Sequence, residues 1–150
     1  VVDIWHFGMS ALFERDTDLE VLAQQIAADF LSRPSDVSDD LSEKERIHKA
    51  TEALAQHALE SKGFSVALFG ALMQACGLSS AELYRHYVGK NVLNFFRQDH
   101  GYQEGTYVKE WQGREDNEHL SELLEELDES APDFPETVYQ ALALRYAAAA

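Results

Sequence analysis

SSAELYRHYVGKNVLNFFRQDHGYQEGTYVKEWQGREDN, residues 79–117, is the stretch from which the fold can be read. Ser79 with Glu82 three residues on has the spacing of a capping box, which opens a helix. That helix is expected to run to Gly101, with Val88, Val92, Phe95 and Phe96 available for burial. A loop punctuated by Gly101 and Gly105 then carries Tyr102, Tyr107 and Lys109. The trio Glu115-Asp116-Asn117 ends it, and an acidic helix with a leucine stripe (Leu120, Leu123, Leu124, Leu127) is expected from Glu115 to Glu129. Of the chain's 12 lysines and arginines, Arg85, Lys90, Arg97, Lys109 and Arg114 fall in this neighbourhood, in a protein of formal charge −15. An acidic chain that gathers cations, tyrosines and an asparagine around one loop points to a small anion, hence a phosphate-bearing ligand.

Working outward, the other segments read as helices joined by short polar links. Val1 to about Arg15 carries an apolar helical pattern through Ile4, Phe7, Ala11 and Leu12, and Thr17 to Ser32 repeats it with Leu19, Leu22, Ile26, Phe30 and Leu31. Arg33-Pro34-Ser35 should end that helix, because a residue before proline is pushed out of the helical region, and Ser35 to Asp40 reads as an acidic linker. Ser42 with Glu45 is a further capping box, opening a long amphipathic helix expected to stop at Gly63. The nearly all-apolar run Phe64 to Ala75 predicts a central buried helix closed by Gly77, and Pro135 suits the first turn of a last helix through Tyr146. No run alternates with a two-residue period, so a sheet is not expected. The prediction is one all-α domain over residues 1–150, a bundle of about six to seven helices. Ala147 to Ala150 is low-complexity and carries no functional reading.

Composition excludes several classes. A pI near 4.6 argues against a DNA or RNA surface, whose affinity comes from basic patches neutralising phosphates. It is compatible with sites for divalent cations. The lone Cys76 lies in an apolar run and reads as a buried, reduced thiol; no disulfide can form within the chain, which fits a reducing cytoplasm. No apolar run is long enough to span a membrane. The chain opens Val1-Val2-Asp3, mid-pattern for a helix, so further residues are expected upstream.

Two constellations carry chemistry. Lys90, Asn94 and Arg97 are spaced four and three apart. At roughly 100° per residue they share a sector of about 60° on one helix face. A compact ammonium and a planar guanidinium fork together neutralise and orient a polyphosphate, with Tyr102 and Lys109 as further donors from the loop. The same spacing suits a solvated cationic face, and spacing alone favours that plainer reading. In Asp3-Ile4-Trp5-His6-Phe7, Asp3, His6 and Phe7 share a face at i, i+3 and i+4. A carboxylate there suits Mg²⁺, but a helix-start aspartate beside an aromatic core pair explains it as simply. The other histidines (His48, His57, His86, His100, His119) have no metal-ligand spacing and read as surface or loop residues.

Together these residues resemble the dimeric all-α dUTPases, relatives of the MazG-type nucleoside-triphosphate pyrophosphatases. The likeness is carried by the Lys-x-x-x-Asn-x-x-Arg helix from Lys90, the Gly-Tyr-x-x-Gly-x-Tyr-x-Lys loop from Gly101 and the Glu-Asp-Asn end at Asn117, in order and spacing. Asp3-x-x-His6-Phe7 is similar to the second half of the family's Glu-x-x-Asp metal motif and the sugar contacts behind it. Residues 8–89 match only as helices of suitable length. The resemblance reverses both plainer readings. It implies that Asp3 binds Mg²⁺, that His6 hydrogen-bonds the sugar 3′-hydroxyl, and that Phe7 packs on the deoxyribose. It implies that Lys90, Asn94, Arg97, Tyr102, Lys109 and Asn117 hold the phosphates of dUTP or dUDP. The implied activity is that of a Mg²⁺-dependent dUTP diphosphatase, a cytoplasmic homodimer yielding dUMP and pyrophosphate.

The departures are at the start. The glutamate expected three residues before Asp3, the family's Glu-x-x-Glu metal motif and its uracil-reading glutamine and asparagine would all precede Val1. Glu14, Glu20, Glu43 and Glu45 are not placed to replace them. These residues alone are therefore expected to turn over little or no substrate, and uracil specificity rests on the resemblance. The competing readings are a deoxynucleoside-triphosphate pyrophosphatase of other base specificity and a non-catalytic nucleotide-binding or dimerisation fragment. The loop from Gly101 to Arg114, polar and with little core to anchor it, is expected to be mobile or disordered without nucleotide and to close on the anion.

Overall fold

The computed structural model describes residues 1–13, 15–32 and 41–148. They form seven helices and a short hairpin: α1 Val2–Leu12, α2 Leu19–Leu31, α3 Glu43–Ser61, α4 Val66–Ala75, α5 Ser80–Asp99, β1 Glu110–Trp111, β2 Arg114–Glu115, α6 Asp116–Glu126 and α7 Phe134–Ala147. The expected all-α bundle is what the chain forms. Glu14, the Arg33-Pro34-Ser35 stop, the acidic 35–40 linker and the last two alanines lie outside the described residues. The chain divides into two compact units, Val1–Ser79 and Ser80–Ala150.

In the first unit α4 is central, packing on both α2 and α3. Its Val66, Phe69, Leu72 and Met73 are buried, as the apolar run predicts. Phe69 gathers an aromatic cluster, with Trp5 stacked at 5.1 Å and Phe64 and Phe30 at 5.7 and 6.3 Å between ring centroids. The helix ends follow from local chemistry. The Asp18 carboxylate accepts from the Glu20 and Val21 N–H groups at the start of α2, and the Ser42/Glu45 capping box opens α3. α3 does not stop on Gly63: Lys62, at φ 57, takes the left-handed position one residue earlier. α4 closes as expected at Gly77 (φ 65), where the Leu78 N–H reaches back to the Met73 carbonyl at 2.9 Å. Cys76 caps this end and is half-buried, more open than its apolar neighbours suggest.

The second unit is a triangle of α5, α6 and α7, each packing on the other two. Its core holds Leu93, Phe96, Trp111, Leu123, Leu124, Phe134, Val138 and Leu142. The expected leucine stripe faces it, with Leu120, Leu123 and Leu124 buried and Leu127 half-buried. Pro135 sits in the first turn of α7. On α5 the inward face is Val92, Leu93 and Phe96, so Phe95, expected to be buriable, is 63% exposed.

Among the described residues the hairpin is the one piece of sheet. β1 and β2 pair Glu110 with Glu115 and Trp111 with Arg114 across Gln112-Gly113, both at positive φ (52 and 77). That is the mirror-image turn which matches strand twist in two-residue hairpins. With two residues per strand, no alternation could register. The hairpin buries Trp111, at 1% exposure, and its Nε1–H donates to the Val108 carbonyl at 2.7 Å. His119, expected at the surface, is buried with its ring stacked 5.2 Å from Trp111 and its Nε2 2.9 Å from the Trp111 carbonyl oxygen. Among the described residues no single helix is long and apolar enough to cross a membrane.

Candidate functional site

The phosphate-binding residues expected from the sequence lie on α5, on the loop after it, and at the start of α6. α5 turns its core face inward through Leu93 and Phe96, which leaves Lys90 half-buried, Asn94 exposed and Arg97 partly exposed on the adjoining face. At its end the Tyr102 N–H returns to the Arg97 carbonyl at 2.9 Å, with Gly101 at φ 85. The chain thereby reverses directly beside Arg97.

The loop is anchored, which corrects the expectation that little holds it. Trp111 is buried, Tyr107 stacks on Tyr146 at 5.6 Å, and the Asp116 N–H donates to the Lys109 carbonyl at 2.9 Å. Lys109 places its ammonium 5.4 Å from the centre of the Tyr102 ring, within cation–π range. Tyr102 and Lys109 are both exposed.

Arg97 and Asp116 are the centre of the arrangement. Arg97 Nε donates to Asp116 Oδ2 at 2.8 Å and Nη2 to Oδ1 at 2.7 Å, a two-pronged pair. The Tyr107 hydroxyl adds a third donor to the same carboxylate at 2.9 Å, and Arg97 Nη1 lies 3.4 Å from Asn94 Oδ1. Asp116 is 1% exposed. Burial pushes its carboxyl upward, but the bonds from Arg97 and Tyr107 and the guanidinium charge outweigh that and leave it below 3.8. The same pairing raises Arg97 against the cost of burial, while burial and the bond to Asp116 raise the Tyr107 phenol. Asp116 is thus a firm anion, Arg97 a firm cation and Tyr107 a firm hydroxyl donor near neutrality.

Not every basic residue of this neighbourhood serves the same face. Arg114 pairs with Glu122 at 2.7 Å, and Arg85 approaches Glu129 at 4.0 Å. Asn117 follows Asp116 into the first turn of α6 and is exposed. Sequence reasoning assigned no role to Tyr107 or Asp116, although both stand inside the quoted motif. Asp116 is 19 residues from Arg97, and only the geometry of the intervening loop brings them together.

The second constellation lies on α1, in the first unit. Asp3, His6 and Phe7 are all exposed there, and the His6 and Phe7 rings meet edge to face at 5.6 Å. Phe7 is 73% exposed, an open apolar ring rather than a core residue. Among the described residues no three carboxylate, imidazole or thiolate side chains converge to hold a metal ion. Asp3 offers one carboxylate; by themselves the described residues do not make a Mg²⁺ cage, which requires several oxygen ligands.

The sequence model of one family, described as dUTPase, matches residues 1–102, more than half of the chain. The chain belongs to the dUTPase family. Within this dUTPase-family chain the match takes in Asp3, His6, Phe7, Lys90, Asn94, Arg97 and Tyr102, together with the whole 8–89 stretch that the sequence reading aligned only by helix length. Lys109 and Asn117 lie beyond its end. No curated protein matches this family member.

Proposed function

We propose that the protein is a dUTP diphosphatase, working as a Mg²⁺-dependent homodimer that hydrolyses dUTP to dUMP and pyrophosphate. The observation that carries this reading is the dUTPase match over residues 1–102, which takes in Asp3, His6 and Phe7 together with Lys90, Asn94, Arg97 and Tyr102. In this reading Lys90, Asn94, Arg97, Tyr102, Lys109 and Asn117 hold the phosphates. Lys90, Arg97 and Lys109 supply the cations. They stabilise charge developing on the phosphoryl oxygens as the α–β phosphoanhydride breaks and water supplies the new oxygen. His6 bonds the 3′-hydroxyl. Phe7, whose open ring is suited to packing against a sugar, occupies the space a 2′-hydroxyl would need, so that UTP must bury an unpaired hydroxyl. Asp3 would offer one carboxylate to Mg²⁺, which when bound would neutralise charge on the phosphates.

The test is pyrophosphate release from dUTP, UTP, dCTP and dTTP by the full-length protein, with and without Mg²⁺. The expected result is cleavage of dUTP alone, abolished without Mg²⁺. Phe7→Ala should narrow the preference for dUTP over UTP by about 10-fold or more, the scale of one apolar contact. Equal rates on dUTP and dCTP would leave a general deoxynucleotide pyrophosphatase. Full activity in Asp3→Asn would remove Asp3 from the metal site.

A further inference from the structure

We propose that Asp116, assisted by Tyr107, is a positioning residue that sets the orientation of Arg97 for phosphate binding. The inference rests on Arg97 being a phosphate donor, and it assigns functions to two residues that the phosphate-binding set does not include. A guanidinium has two edges that can each meet an oxyanion with two parallel N–H bonds. Asp116 takes the Nε–Nη2 edge at 2.8 and 2.7 Å. The edge formed by Nη1 and the outer hydrogen of Nη2 is not used by Asp116, and Nη1 reaches only a long 3.4 Å bond to Asn94 Oδ1. That edge and the Asn94 side chain are what Arg97 can offer to a phosphate. An arginine on a helix surface ordinarily samples many rotamers, and fixing it on binding costs free energy; here it is fixed during folding.

The carboxylate doing this is itself immobile. It begins α6, where the helix end favours an anion, and its backbone N–H is bonded to the Lys109 carbonyl at 2.9 Å. Tyr107 holds Oδ2 at 2.9 Å from a ring packed among Phe96, Trp111 and Tyr146. One buried carboxylate thus ties the end of α5, the loop after it and the start of α6 into one unit, and the loop that carries Tyr102 and Lys109 is registered against Arg97. Were Asp116 only a counter-ion for stability, neither the two-pronged geometry nor the phenol would affect phosphate binding.

The experiment is a double-mutant cycle in the full-length protein, read by kcat/KM for dUTP and by the affinity for inorganic pyrophosphate. Asp116→Asn keeps the shape but removes the charge-assisted fork, and should lower kcat/KM by about 10- to 100-fold, as misplacing a binding group does. Tyr107→Phe should lower it a few-fold, about the loss of one hydrogen bond. In an Arg97→Ala background neither substitution should lower it further, because residues acting through one another are not additive. Tyr107→Phe also carries the test should Asp116→Asn fail to fold. Wild-type kcat/KM in a folded Asp116→Asn, or additive losses with Arg97→Ala, would overturn the proposal. If the wild-type protein does not cleave dUTP, the proposed function fails, while pyrophosphate affinity still decides the positioning role by the same cycle.

Discussion

Adding one methyl group at Gly89 should test how α5 and α6 meet, because two effects of similar size oppose each other there. In an exposed helix interior, glycine to alanine stabilises by about 1 kcal/mol. At position 89 the new Cβ would stand 2.7 and 2.8 Å from the two terminal carbons of Leu124 and 3.2 Å from its Cγ, well inside contact distance. Leu124 is only 2% exposed and packed in the core, so its side chain has little room to swing away. Overpacking of a filled core costs about 1–3 kcal/mol. The balance is a net loss of about 1 kcal/mol for Gly89→Ala, where propensity alone forecasts a gain of the same size. Urea unfolding followed by the fluorescence of buried Trp111, in a Trp5→Phe background, measures it. The sharper reading comes from shortening the neighbour: in a Leu124→Ala background the added methyl should become stabilising, because it then fills the space that the leucine has left. A gain in stability for Gly89→Ala in the wild-type background would refute the close approach.

Two further outcomes concern charge and backbone. Glu122 accepts from both Arg114 and Arg145 at 2.7 and 2.8 Å, and these bonds lower its carboxyl from 4.5 to about 2. A carboxylate depressed on folding contributes stability that is full above its unfolded value and is lost as pH falls through the folded one. Acid unfolding should therefore steepen between pH 4.5 and about 2, with Asp116 adding to it below 3.8, and Glu122→Gln should flatten the Glu122 part. Gln112 stands at φ 52 before Gly113 at φ 77, a position that asparagine fills more readily than glutamine. Gln112→Asn should raise the free energy of unfolding by a few tenths of a kcal/mol, about the preference at stake, and shift the urea midpoint upward accordingly; an unchanged or lower midpoint would mean that turn strain is not what limits the hairpin.

Much of the fold was legible because it is written in short-range signals. The Ser42/Glu45 box, Gly77, Gly101 and Pro135 act within a turn of helix and mark the same boundaries in sequence and in space. Finer detail was lost where two neighbours compete for one role. Lys62 took the left-handed position from Gly63, and Phe96 with Leu93 took the core from Phe95. The candidate phosphate face was visible as a spacing, since Lys90, Asn94 and Arg97 share one side of one helix. The partner of Arg97 was not visible. A pair separated by 19 residues depends on where a loop closes, and no local pattern encodes that.

What closes the loop is the core, and this is how packing reaches chemistry in the second unit. Phe96 is fully buried, with ring contacts to Tyr107, Trp111, Tyr139 and Tyr146 at 5.3–6.4 Å. Arg97 is the next residue along α5, so the helix that commits Phe96 inward commits Arg97 to the adjoining face. Trp111 brings the hairpin back onto the same ring, and Tyr107, four residues before it, meets Phe96 with its ring and Asp116 with its hydroxyl. Tyr107 therefore belongs to the aromatic core and to the polar site at once. A change that loosens the aromatic cluster should reach the orientation of Arg97 through this phenol, while a change on the far side of α7 should not. Trp111→Phe, which keeps an aromatic ring but leaves part of the indole space empty, is the case that separates them: it should reduce stability by about 1–3 kcal/mol, less than full truncation of such a ring. It should also weaken pyrophosphate binding, whereas exposed Leu144→Ala should change neither. Pyrophosphate affinity untouched by Trp111→Phe would show that the polar site is held by the Arg97–Asp116 pair without help from the core.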